Sequence, residues 1–141
     1  MSEDLELATS SAARMYADDA ASQAAGITVH DVAPGRATAR MTVAETMING
    51  HEMAHGGYVF LLADTAFAFA CNTYGVTTVA QACDIVFVRA ARRGEELTAV
   101  AVERARYGRS GIYDVTVTAG GDLVAEFRGR SRSLPDRGEA P

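Results

Sequence analysis

Lysine and tryptophan are absent from this 141-residue chain, and cysteine occurs only twice. Without lysine every strongly basic side chain is an arginine, and the formal net charge is −5. An acidic chain is a poor general nucleic-acid binder, because a basic face supplies most of that affinity. A local arginine cluster could still hold one small anion. Cys71 and Cys83 stand in apolar surroundings, demand no disulfide by their spacing, and read as small buried thiols of a reducing compartment. No apolar run reaches the roughly 20 residues that cross a bilayer. The opening MSEDLELATSSAARMY carries neither the basic n-region nor the apolar h-region of a signal peptide. The expected location is the cytoplasm, with neither membrane nor nucleic acid as partner.

What is present is an ordinary globular balance, 48% hydrophobic and 22% charged, in a length that can enclose a core without disulfides or metals. A single domain over residues 1–134 is expected, with 135–141 as a polar, disordered tail. Leu7, Ala13, Tyr16, Ala17 and Ala20 recur at helical spacing, predicting a helix over Glu6–Ala25 that stops at Gly26. The period then falls to two, and Pro34-Gly35 turns one strand into the next, Ala37–Val43. A loop, ETMINGHEMAH, leads to an apolar helix starting at Gly56 or Gly57 and ending between Asn72 and Gly75. Four strand-like runs follow: 77–88, 96–105, 111–118 and 123–131.

This order implies an α+β domain with an antiparallel sheet. The helix over 57–73 is apolar nearly all round, so it must be wrapped rather than laid on a surface. A curved antiparallel sheet around one central hydrophobic helix does this, which is the hotdog fold.

HEMAH, His51 to His55, spells the H-E-x-x-H of zinc proteases. That chemistry needs both histidines on a stable helix and a third ligand. Here glycines flank the motif and no histidine lies downstream, so no metal is expected.

Asp64 is the harder residue, a carboxylate inside HGGYVFLLADTAFAFAC. Burying an unpaired carboxylate is costly, so it needs a partner or a purpose. Either it pairs with a buried arginine or caps a neighbouring chain, or it is a nucleophile or general base whose pKa burial raises. The Gly56-Gly57 pair favours the second reading. A helix N-terminus leaves N–H groups unpaired and aims the positive end of its dipole outward, and glycine admits an oxyanion close to them. Asp64 lies eight positions after Gly56, roughly 12 Å along a helix. One acyl carbon cannot sit at both groups of one helix, so cooperation requires two subunits across a two-fold axis.

MYADDAASQAAGI, MINGHEMAHGG, LADTAFAFACN, GIYDV and FRGRS together resemble the phenylacetic-acid-degradation (PaaI-type) acyl-CoA thioesterases of the hotdog superfamily, from about Arg14 to Arg132. The resemblance implies hydrolysis of aryl- or arylacetyl-CoA thioesters, hydroxyphenylacetyl-CoA among them. It implies that Asp64 attacks the thioester or activates water, that Gly56 supplies an oxyanion N–H, that Asn49 helps hold the carbonyl, and that His55 supports the loop. Gly57 and Thr65 join the substrate-contacting residues, although Thr65 points about 100° from Asp64 on a helix. CoA phosphates and nucleotide would lie on two loops, one carrying Arg89, Arg92 and Arg93, the other Arg106, Arg109, Ser110 and Gly111. CoA is then part of the substrate, with no separate cofactor, and the enzyme is a dimer paired into a tetramer. The first loop departs from the family in lacking a proline, and the second has arginine where lysine is frequent.

Two rivals stand beside this reading. A non-catalytic acyl-CoA-binding hotdog module has no use for Asp64. A hotdog hydratase needs an Asp–His pair on one loop-helix segment, and no histidine follows His55.

Overall fold

The computed structural model describes residues 2–135, so all of the expected C-terminal tail except Pro135 lies outside the described residues. The predicted N-terminal helix is two helices, α1 over Glu3–Ala17 and α2 over Ala20–Ala24. Two consecutive aspartates explain the break. Asp19 caps α2, its carboxylate accepting from the Ser22 N–H at 2.9 Å and the Ser22 hydroxyl at 2.6 Å, and aspartate favours such a cap over a helix interior. Ser2 caps α1 in the same way.

Six strands follow the expected boundaries to within a few residues: β1 Thr28–Ala33, β2 Arg36–Thr42, β3 Thr78–Phe87, β4 Glu96–Tyr107, β5 Ser110–Ala119 and β6 Asp122–Ser133. They form one antiparallel sheet in the order β1-β2-β4-β5-β6-β3. The apolar helix α3, Gly56–Cys71, lies across it.

Alternation decides which face the helix meets. Ala37, Ala39 and Met41 of β2, Leu97, Ala99 and Ala101 of β4, and Val115 and Val117 of β5 are all buried. So are Leu62, Ala63, Ala66, Phe67, Phe69 and Ala70 of α3. Alanine on both sides lets helix and sheet approach closely. Gly129 of β6 completes the fit: a Cβ there would stand 2.7 Å from the Phe67 ring, so only glycine leaves space for that phenyl. Phe67 in turn packs on Tyr113 and Phe127, with ring centroids 5.6 and 5.8 Å away.

The sheet covers α3 on one side only. Tyr58, Leu61, Asp64 and Ala68, spaced three or four apart, form with Gly57 a stripe that stays partly exposed. The full wrapping expected from the sequence is therefore one-sided within the protomer. Strand β3, at one edge of the sheet, is exposed along most of its length, with Val79 42%, Val86 61% and Phe87 53% accessible.

Candidate active site

The loop before α3 is built by its own polar groups. Asn49 Oδ1 accepts from the N–H of His51 at 2.9 Å and of Met53 at 3.3 Å, an Asx arrangement that folds the turn. Residues 51–54 make turns, bends and one isolated bridge rather than a helix, so His51 and His55 do not meet on a helical face. Asn49 thus spends its carbonyl on the loop, and its amide NH2 is the end left to donate. The loop is tied down at both sides: the His55 N–H donates to Met47 O at 2.8 Å, and the Ala54 N–H donates to Ala91 O at 2.8 Å.

His55 caps α3, its Nδ1 accepting from the Gly57 N–H at 2.9 Å. This bond assigns the His55 proton to Nε2. It also divides the glycine pair: the Gly57 N–H is consumed by the cap, whereas no acceptor among the described residues takes the Gly56 N–H. The helix N-terminus therefore presents one uncommitted donor at its positive end, so Gly57 is not a second donor.

Asp64 lies midway along the open stripe. No hydrogen bond or ion pair from a described residue reaches its carboxylate, which removes the buried-arginine alternative within the protomer. Desolvation by burial raises its pKa above the ordinary carboxylate value. Thr65 turns elsewhere. Its hydroxyl is buried, donates to Leu61 O at 2.7 Å and lies 3.5 Å from Ser22 Oγ, so a substrate contact for Thr65 finds no support within the protomer.

An uncommitted N–H at a helix start and an unpartnered carboxylate two turns on are groups that can serve acyl transfer. Residues 51–126 match the Thioesterase superfamily. The chain belongs to the thioesterase superfamily. It is 45% identical over 121 residues to acyl-coenzyme A thioesterase PaaI of Escherichia coli (strain K12), covering 85% of this chain and 86% of that one. The structure of the E. coli PaaI protein superposes with a TM-score of 0.91 at 42% identity, covering 93% of this chain and 96% of that one. A mutant structure of the phenylacetic acid degradation protein PaaI from Thermus thermophilus gives 0.78 at 38% identity, over 80% and 97% of the two chains. The architecture is the hotdog fold.

The arginines of this thioesterase do not behave as one group. Arg89 is a strut, making two 3.0 Å bonds to Glu95 and a third hydrogen bond to Ala90 O at 2.7 Å. A CoA-phosphate contact for Arg89 finds no support within the protomer, because its guanidinium is bonded to Glu95 and Ala90 O. Arg92 and Arg93 line an open groove with Ile48, Glu45 and Glu52, beside the Asn49 turn, and Arg93 is 3.7 Å from Glu45. At the opposite end of α3, Arg106 stacks on the Tyr74 ring, 3.6 Å from its centroid. Glu103 accepts from the Tyr74 hydroxyl at 2.7 Å and lies 3.9 Å from Arg106. Arg109 and Ser110 belong to the hairpin turn there, and with Arg106 they line a small cavity. Gly111 is buried, and a Cβ would meet Ser131 Oγ at 2.8 Å and the Tyr113 ring at 2.9 Å. Gly111 lines the same small cavity, and its missing side chain also lets Ser131 and Tyr113 pack closely.

Sequence reasoning passed over Phe87, whose ring lies against Gly56 at the start of α3. The signal available was the period-two run of 77–88, which puts Cys83, Ile85 and Phe87 on one face of the strand.

Proposed function

We propose that this chain hydrolyses acyl-CoA thioesters to free acid and CoA, with aryl- or arylacetyl groups such as hydroxyphenylacetyl as the acyl part, in phenylacetate degradation. The observation that carries the reading is the unpartnered carboxylate of Asp64 on a helix whose start offers the Gly56 N–H. The similarity to a protein named acyl-coenzyme A thioesterase PaaI supports the choice of CoA thioesters, and the likeness to structures named for phenylacetic acid degradation supports the pathway.

In this mechanism the thioester carbonyl oxygen accepts from the Gly56 N–H and from the Asn49 amide. Charge developing on that oxygen meets the positive end of α3, which is where such stabilisation acts most strongly. The carbonyl carbon is attacked either by the Asp64 carboxylate, giving a mixed anhydride, or by a water whose proton Asp64 takes. Either way the carbon–sulfur bond breaks and CoA leaves as a thiolate that is then protonated. In the first route water opens the anhydride and restores Asp64.

The eight-position step from Gly56 to Asp64, roughly 12 Å of helix, supports drawing the two groups of one site from two protomers. The exposed β3 edge with Val79 and Val86 and the neighbouring open stripe of α3 give a second copy a surface to cover, and an uncovered apolar edge is a liability. We read the unit as a cytoplasmic homodimer, paired further into a tetramer. Arg92, Arg93, Arg106 and Arg109 remain the phosphate-binding candidates.

Turnover of phenylacetyl-, benzoyl-, short-chain and long-chain acyl-CoA, followed by free-thiol detection, tests this directly. The expected result is kcat/KM highest for the aryl thioesters. Tight CoA-thioester binding without turnover would make the chain a binding module instead.

A further inference from the structure

The chemistry assigned so far does not use Phe87. Phe87 ends β3 on the side of the strand that faces α3, yet its side chain is 53% exposed. A Cβ added at Gly56 would stand 3.1 Å from Phe87 Cζ, with two further ring carbons at 3.4 and 3.6 Å. Gly56 does not have a positive φ, so its backbone does not demand glycine. The space its missing side chain leaves is taken by the phenyl ring. One part of the ring therefore rests on the residue whose N–H is uncommitted, while the rest of it is open.

We propose that Phe87 determines acyl specificity, forming the wall on which the aryl group of an arylacetyl thioester packs. The proposal rests on the thioesterase reading, in which the carbonyl oxygen bonds to Gly56. An arylacetyl ring is one methylene from that carbonyl. Contact of that ring with the open part of Phe87 would be of the offset or edge-to-face kind, which is favourable at centroid separations of about 4.5–7 Å. A short aliphatic acyl group has no π face to offer, so it gains less from Phe87. Of the other aromatic residues on and near α3, Phe67 and Phe69 are fully buried, Phe60 packs on Phe127 with centroids 5.4 Å apart, and the Tyr74 hydroxyl donates to Glu103, whereas Tyr58 stays partly exposed on the open stripe.

The test compares kcat/KM for phenylacetyl-CoA and butyryl-CoA in wild type, Phe87→Leu and Phe87→Tyr, with the oligomeric mass measured by sedimentation. Leucine keeps an apolar side chain at the strand end but removes the π face. The phenylacetyl/butyryl ratio should fall about 3- to 10-fold in Phe87→Leu, the size of an aromatic pair contribution, and be retained in Phe87→Tyr, with mass unchanged in both. Gly56→Ala, whose methyl displaces the ring while keeping the N–H, should lower the same ratio but lower it no further when Phe87 is already leucine. An unchanged ratio in Phe87→Leu overturns the proposal. So does an equal loss on both substrates with a reduced mass, which would make Phe87 an interface residue. Wild-type protein that turns over neither thioester would overturn the functional reading itself, and this proposal with it.

Discussion

Asp64→Asn removes a charge and keeps nearly the whole shape of the side chain, so it separates what the carboxylate does from what it costs. As nucleophile or base, Asp64 should account for at least about 10²-fold of the rate, or about 2.7 kcal/mol of barrier. Stability should move the other way. Burial raises the Asp64 pKa above the ordinary value of 3.8, and nothing in its surroundings lowers it. A folded-state pKa above the unfolded one means that the folded protein binds the proton more tightly. The ionised form is thus penalised at neutral pH, and the penalty is relieved as pH falls through the folded-state pKa. Asparagine carries no charge at any pH. The variant should therefore be more stable than wild type at neutral pH, with the gap closing toward acid. Free-thiol assays on phenylacetyl-CoA together with urea denaturation at neutral and acid pH read both quantities. In wild type the acid limb of kcat/KM should also be raised above the ordinary aspartate value, because the working form is ionised and burial opposes it. Undiminished hydrolysis in Asp64→Asn would refute the chemical role. Lower stability at neutral pH would refute the claim that the carboxylate is unpartnered.

Three other substitutions probe separate parts of the structure. Asn49→Ala should lower kcat more than it raises KM, because the amide acts on charge that develops at the carbonyl; a raised KM with unchanged kcat would make Asn49 a binding residue. Arg89→Ala should lower the melting temperature while leaving KM for acyl-CoA within about twofold, since its guanidinium is bonded to Glu95 and not offered to a phosphate; a many-fold rise in KM would contradict this. Gly129→Ala forces a methyl to within 2.7 Å of the buried Phe67 ring and should cost about 1–3 kcal/mol of stability in urea denaturation, and a loss within about 0.5 kcal/mol would show that the ring has room to move.

Much of the architecture was legible because period and punctuation are local. The two-residue alternation located β2 to β6, Gly26 marked the end of the N-terminal helices, and the unbroken apolar run gave α3 its length. The break at Asp18-Asp19 was missed because alanine-rich periodicity on both sides masked a cap in the middle. At the site, the contrast between Asp64 and its apolar neighbours was visible, as was the roughly 12 Å of helix that divides it from Gly56. What could not be read was the partner of each polar group, since alternation gives the face of a strand and not what lies opposite. In sequence Arg89 is indistinguishable from its loop neighbours, and only the folded turn brings Glu95 onto its guanidinium. Gly56 looked like a passage for substrate, and its vacant side-chain space holds the ring of Phe87, 31 residues away in the chain.

The central claim is that one active site joins the Gly56 N–H of one protomer to the Asp64 carboxylate of another. Subunit mixing tests it most directly. Gly56→Pro lacks the N–H and Asp64→Ala lacks the carboxylate, so each variant alone should be inactive on phenylacetyl-CoA. After exchange, verified by mass on differently tagged chains, a mixed dimer carries one site with both wild-type groups and one with neither. Equal mixing should therefore recover about a quarter of wild-type activity, since about half the dimers are mixed and each has one of two sites intact. Verified exchange without recovered hydrolysis would contradict the shared site.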